Sequence, residues 1–221
     1  MTSGGWAVTA WSAEGAIAMM DQQGIATGVM SVTSPGIHPG DDARDLARAV
    51  NEYGAEVVGD HPDRFGHFAS IPLPDVDAAV AEAVYALDVL GADGVVLMSN
   101  AHGKYLGDPD FEPLWAELDR RAANAFVHPS QPPMPLLPGT PAPLADYVFD
   151  TALSASPSAL PALLAFAEPG HVLHGGDWPF APQEAGTCYN PFLETYPDFT
   201  PGRAEAIDRG NAESRFPRLA R

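Results

Sequence analysis

HFASIPLPDVDAAVAEAVYALDVLGADGVVLM, residues 67–98, decides the fold of this 221-residue chain. The segment HFASI (67–71) is short and apolar, and Pro72 and Pro74 close it. Asp75 can cap a helix, and Val76, Val80, Val84, Leu87 and Leu90 give that helix an apolar face before Gly91 stops it. GVVLM (94–98) is then a continuous apolar run of the kind that a strand covered on both faces shows. Strand, long helix and strand make a βαβ unit, whose two strands run parallel because the crossover helix returns the chain to the same end.

The same rhythm extends toward the N-terminus. Asp41 or Asp42 opens a helix on which Leu46, Val50, Tyr53 and Val57 recur at helical spacing. Ile25–Val32 is a strand, and Ser12 caps a helix over Ala13–Gln23 that Gly24 ends. Residues 1–10 carry no pattern. Toward the C-terminus, Leu114, Trp115 and Leu118 mark a helix, and Ala125–His128 is a strand. Residues 129–143 hold seven prolines, which excludes a helix or an inner strand there. Asp146–Thr151 is a short strand, Ser156 caps a helix starting at Pro157, and His171–His174 is the last strand. Residues 183–201 look irregular, and a terminal helix around Arg203–Arg215 precedes Phe216, which docks after it. The expectation is one α/β domain over residues 1–221, an incomplete (βα)8 TIM-type barrel with about six strands present. A closed barrel uses eight strands and about 250 residues.

Composition excludes several classes of function. The formal charge is −18, from 29 acidic against 11 basic residues, so nucleic acid is not an expected partner. Cys188 is the only cysteine, which rules out a disulfide framework and a cysteine-rich zinc cluster. No apolar run reaches the length of a membrane span and the first residues lack a signal pattern, so no membrane partner and a cytoplasmic location are expected.

Parallel barrels carry their sites on the loops after the strands. His38, His102, His128 and Asp177 each follow a different strand. Imidazole and carboxylate are ligands for zinc or manganese, so four such groups on one rim would make a mononuclear site. The bland alternative is that His38 and His102 are solvated loop residues. For Asp177 the bland alternative is a turn residue after Gly175 and Gly176. His174 either orients Asp177 or faces a neighbouring element, and Trp178 either walls a pocket or packs. No His-x-His, His-Glu-x-x-His or Cys-x-x-Cys occurs, nor a Gly-x-Ser-x-Gly elbow or a Walker loop.

SVTSPG (31–36), the block 62–97, YLGDPDFEPLWAELDRR (105–121), FVHPSQPP (126–133), HVLHGGDWPFAP (171–182) and RGNAESRFPRL (209–219) together resemble the amidohydrolase-related family that includes aminocarboxymuconate semialdehyde decarboxylase. The resemblance is nearest to the 6-methylsalicylate decarboxylase branch. It implies a (βα)8 metalloenzyme of the metal-dependent hydrolase superfamily, with zinc or manganese, that removes CO2 from a small hydroxy-aromatic or unsaturated carboxylic acid. It places His128 of His128-Pro129 at the family's fifth-strand metal ligand. Asp177 of GGDWP falls at its eighth-strand ligand, which also serves as proton donor, with Gly176 for the family's Ser and Trp178 for its Tyr.

Two departures stand out. The family's first-strand His-x-His has no counterpart, and the segment carrying its sixth strand and assisting His is missing between Pro143 and Ala152. The six strands then correspond to family strands two, three, four, five, seven and eight. His38 or His102 would have to stand in as ligands. The alternatives to a decarboxylase are a catalytically silent shortened homologue and a metal-dependent hydrolase of the same superfamily. Missing staves leave strand edges open, which a second copy of the chain could cover as a homo-oligomer.

Overall fold

The structure, a computed structural model, describes residues 2–3, 6–7, 10–33, 36–37, 40–128, 130, 149–150, 159–179, 191 and 193–220. The chain forms two compact units, Met1–Ala26 with Pro143–Arg221, and Thr27–Ala142.

The first unit opens with two short antiparallel strands, β1 (Thr2–Ser3) and β2 (Trp6–Ala7), where the sequence shows no pattern. Helix α1 (Ala13–Gln23) follows with the expected bounds. The Ser12 hydroxyl accepts from Gly15 N at 3.0 Å, and Gly24 at φ +70° ends the helix by donating to Met20 O.

The second unit is a βα repeat. Its elements are β3 (Gly28–Met30), α2 (Ala43–Asp60), β4 (Phe65–Ser70), α3 (Val76–Asp88), β5 (Gly94–Met98), the hairpin of β6 (Asn100–Ala101) and β7 (Lys104–Tyr105), α4 (Glu112–Arg120) and β8 (Ala125–His128). β3, β4, β5 and β8 lie side by side in chain order, all parallel, with Gly28 opposite Phe65, Phe68 opposite Gly94, and Met98 opposite His128. In β4 only Phe68 is partly exposed, as befits a strand covered on both faces. Asp75 caps α3 by accepting from Ala78 N at 3.1 Å.

The faces of α2 and α3 differ in part from the sequence expectation, although Val57 is buried as expected. On α2 the buried residues are Ala43, Ala47, Asn51 and Val57, while Leu46 and Tyr53 are 42% and 56% exposed. On α3 they are Ala78, Ala79, Glu82, Ala83 and Ala86, and Val76, Val80 and Leu87 pack from the flanks. Small side chains let a helix lie close to the sheet. At Gly54 a Cβ would sit 3.0 Å from the His67 ring on β4. Large residues placed there would force the layers apart. The remaining core is Ala69, Ile71, Leu73, Val95, Leu97, Leu106, Phe111, Leu114 and Leu118.

Back in the first unit, β9 (Phe149–Asp150) runs parallel to β10 (Val172–Leu173), with α5 (Ala159–Phe166) between them in the chain. Leu160, Ala167, Val172, Leu193 and Ile207 form its core. The C-terminal helical stretch runs through Arg203–Glu205, a π-helical turn at Ala206–Gly210, and Asn211–Arg215, and Phe216 beyond it is buried. The six expected parallel strands are thus present, four in one sheet and two in the other. Among the described residues no helix is long and apolar enough to cross a membrane.

Candidate metal centre

His128 ends β8, half-buried, on the edge of the sheet where the strands' C-termini gather. Its Nε2 is 2.9 Å from the hydroxyl of Thr33, three residues beyond β3. β3 and β8 are the first and last strands of the sheet. Three strand spacings of about 4.8 Å would put them ~14 Å apart if the sheet were flat. The Thr33–His128 contact therefore requires a curled ladder whose first loop leans across the rim toward the last strand, as in a barrel segment.

A second set of polar groups holds the same rim. Ser99 N donates to His128 O at 3.0 Å. Ser99 and Ser130 join hydroxyls at 3.0 Å, Ser130 N donates to Ser99 Oγ at 3.0 Å, and Asn100 Nδ2 donates to Ser130 Oγ at 2.8 Å. Thr33, Ser99 and Ser130 do not stand out in the sequence. The one available signal was their position just after the strand ends.

Asp177 belongs to the other unit. It follows β10 by four residues, is half-buried, and holds φ at +52°. A left-handed conformation is uncommon outside glycine, although Asp and Asn tolerate it best. Trp178 packs rather than standing open, since a Cβ at Gly15 in the first turn of α1 would lie 3.7 Å from its ring. His174 faces a neighbouring element, with its Nδ1 3.9 Å from Asp208 Oδ1 and its backbone N–H bonded to Ile207 O at 3.0 Å. Burial raises the Asp208 carboxyl above its ordinary range, against the pull of His174 and with a push from Glu194.

His102 occupies the turn of the β6–β7 hairpin, exposed, at φ +53° before Gly103 at φ +85°. Two left-handed residues are what a two-residue hairpin turn of this hand requires, so the turn explains His102 without a ligand. His38 and Cys188 lie outside the described residues.

The structure therefore sets His128 in one unit and Asp177 in the other. Imidazole and carboxylate suit zinc or manganese. A catalytic centre of this kind generally takes three protein ligands. Among the described residues, no three His, Cys, Asp or Glu side chains are grouped to hold a metal ion. The donor chemistry fits such an ion, but among the described residues the donor number does not.

Comparison with known proteins follows the same outline. The amidohydrolase family matches residues 6–150. A 6-methylsalicylic acid decarboxylase of Penicillium expansum is 32% identical over 292 aligned positions, taking in 97% of this chain and 89% of the relative. Ninety-seven per cent of 221 residues is about 214, so about 78 of those 292 positions are residues of the relative with no counterpart here. A solved structure of an amidohydrolase II superposes with a TM-score of 0.84 at 25% identity, over 96% of this chain and 90% of that one. A dihydroxybenzoic acid decarboxylase from Polaromonas sp. JS666, solved with manganese and the inhibitor 2-nitroresorcinol, superposes with a TM-score of 0.76 at 18% identity, over 92% and 85%.

Proposed function

This chain belongs to the amidohydrolase family, and on that premise we propose that it is by descent a metal-dependent decarboxylase of a small hydroxy-aromatic carboxylic acid. The observation that carries this is the likeness to the Penicillium expansum decarboxylase across 97% of the chain. The metal of this reading is manganese or zinc, with His128 and Asp177 as its surviving protein ligands. A divalent ion bound there would supply Lewis acidity toward the substrate carboxylate. Asp177 is the proton donor to the ring carbon. When the C–CO2 bond breaks, its electron pair stays on that carbon and takes the proton.

A second reading is a shortened homologue without turnover. It is favoured by the ~78 missing positions and by the two-donor set, short of the three that catalytic metal sites use.

One experiment separates the two. The purified chain is assayed for bound manganese and zinc and for CO2 release from 6-methylsalicylate and 2,6-dihydroxybenzoate, beside Asp177→Asn. Asn keeps the left-handed backbone accessible, so its effect reports on the carboxylate. Metal-dependent CO2 release that Asp177→Asn abolishes supports the decarboxylase. Metal-free protein that stays inactive after manganese is added supports the silent homologue.

A further inference from the structure

We propose that the terminal helical stretch, residues 203–215, takes the place of a neighbouring strand along β10 and closes that edge to a second copy of the chain. The contact lies wholly within the first unit.

β10 has β9 as one neighbour, with Val172 opposite Phe149 and Leu173 opposite Asp150. The terminal stretch meets the same segment at three places. Arg215 Nε donates to Gly170 O at 3.2 Å, Asn211 Nδ2 donates to Val172 O at 2.8 Å, and His174 N donates to Ile207 O at 3.0 Å. The partners step by two along the strand and by four along the helix, in opposite directions. Two strand residues advance about 6.6 Å and four helical residues about 6 Å, so the two spacings keep in step. Alternate residues of a strand turn their backbone groups to the same edge. The single hydrogen of His174 N goes to Ile207, so His174 and Val172 face the terminal stretch, and the other edge is left to β9.

The π-helical turn at Ala206–Gly210 supplies the acceptor. In an α-helix Asn211 N would bond to Ile207 O. Here it bonds to Ala206 O, one residue further back, which leaves the Ile207 carbonyl for His174. The side chains of Ile207 and Val172, both 0% exposed, lie in one apolar cluster, so packing seals the contact that the hydrogen bonds align.

An open strand edge is a template on which another chain can pair. On β10 the carbonyls of Gly170 and Val172 and the N–H of His174 already have partners within the chain. A second copy could add a strand at this edge only by displacing the terminal stretch.

The test uses the full chain, with amide hydrogen exchange read by NMR. The double variant Asn211→Ala with Arg215→Gln removes both side-chain bonds and leaves Ile207 in place. Its His174 amide should exchange about tenfold or more faster than in wild type. The Ala167 amide, bonded to Leu163 O at 2.8 Å in the same unit, should keep its wild-type rate. In sedimentation velocity the double variant should self-associate at a concentration about tenfold below that of wild type. An unchanged His174 rate overturns the proposal, as does faster exchange without added self-association. If the double variant speeds Ala167 equally, the whole unit has loosened and wild type decides. A scalar coupling across the bond from His174 N to the Ile207 carbonyl then supports the proposal, and its absence overturns it.

Discussion

Asn51 offers the sharpest test of how the second unit holds its sheet. It is 1% exposed, on the face of α2 that packs against β4. Its amide nitrogen donates to Ser70 O at 3.0 Å and to Glu82 Oε1 at 2.8 Å, and its oxygen accepts from Ser70 N at 2.7 Å. One side chain thus stands in for a neighbouring strand at the end of β4. It also reaches a carboxylate on α3 that Arg48 grips at 2.9 Å. Asn51→Ala leaves the Ser70 N–H, the Ser70 carbonyl and one Glu82 oxygen short of a partner. Each buried orphan costs roughly 1–3 kcal/mol. Glu82 keeps Arg48, and the space left can admit water, so the expected loss is about 3 kcal/mol, a large share of an ordinary domain's stability. With a urea slope near ~2 kcal/mol/M, the unfolding midpoint should fall by ~1.5 M, read by far-UV circular dichroism. Asn51→Asp keeps the shape and reverses the polarity, setting a carboxylate against Glu82 and the Ser70 carbonyl. The introduced group then holds its proton in the folded state above its unfolded value near ~3.9. Because the folded state binds that extra proton, stability must decline as pH rises past about 4. A midpoint shift under ~0.3 M for Asn51→Ala, or a pH-independent cost for Asn51→Asp, would refute the strand-mimic account.

Three other perturbations have signs fixed by the structure. Arg120 first and Arg121 second hold the Glu117 carboxyl down to about 2 from an ordinary 4.5. Its contribution is full above 4.5 and disappears as pH falls toward 2, so Glu117→Gln should flatten the acid limb of the stability curve in that window, and an unchanged limb would rule this out. A Cβ on Gly94 would meet the backbone carbonyl of Asn124 and lie 2.9 Å from the Asn124 Cβ. Gly94→Ala should therefore lower stability by about 1–3 kcal/mol, measured as an earlier thermal transition. Ala122 ends α4 in the left-handed region at φ +49°, where glycine is the favoured residue. Ala122→Gly should gain about 0.5–1 kcal/mol in urea unfolding, the relieved strain exceeding the added freedom of the unfolded chain.

The sequence carried the element ends and the faces of α1 and α4 well and the faces of α2 and α3 less well, for different physical reasons. Ser12, Gly24 and Asp75 act through local hydrogen bonds and a single backbone angle, so residue type alone reveals them. GVVLM and AFVH have the bounds read from the chain because both are apolar runs between breakers. Helix faces are a tertiary matter. Leu46 and Tyr53 look like core by size, but the buried face of α2 is Ala43, Ala47, Asn51 and Val57, with Gly54 close to His67. The candidate site divides the same way. His128 and Asp177 are candidates in the sequence because one ends a strand and the other follows one by four residues. Thr33, Ser99 and Ser130 were not, since hydroxyl residues in loops are common and their meeting depends on the curl of the sheet.

The two compact units draw on separate stretches of the chain. The resemblance places the lost segment between Pro143 and Ala152. The family match runs to residue 150, and the boundary between the compact units lies at Ala142 and Pro143. Among the described residues, one cluster of buried apolar side chains spans residues 69 to 118 and the other residues 160 to 207. Each unit thus has a buried apolar set of its own among the described residues. A metal centre differs, since its ligands come from the ends of different strands across the whole barrel. By the resemblance, the segment missing between Pro143 and Ala152 is the stave that carries the family's assisting His. The residues then to be examined for chemistry are those that still meet at a strand end, with Thr33 on His128 foremost.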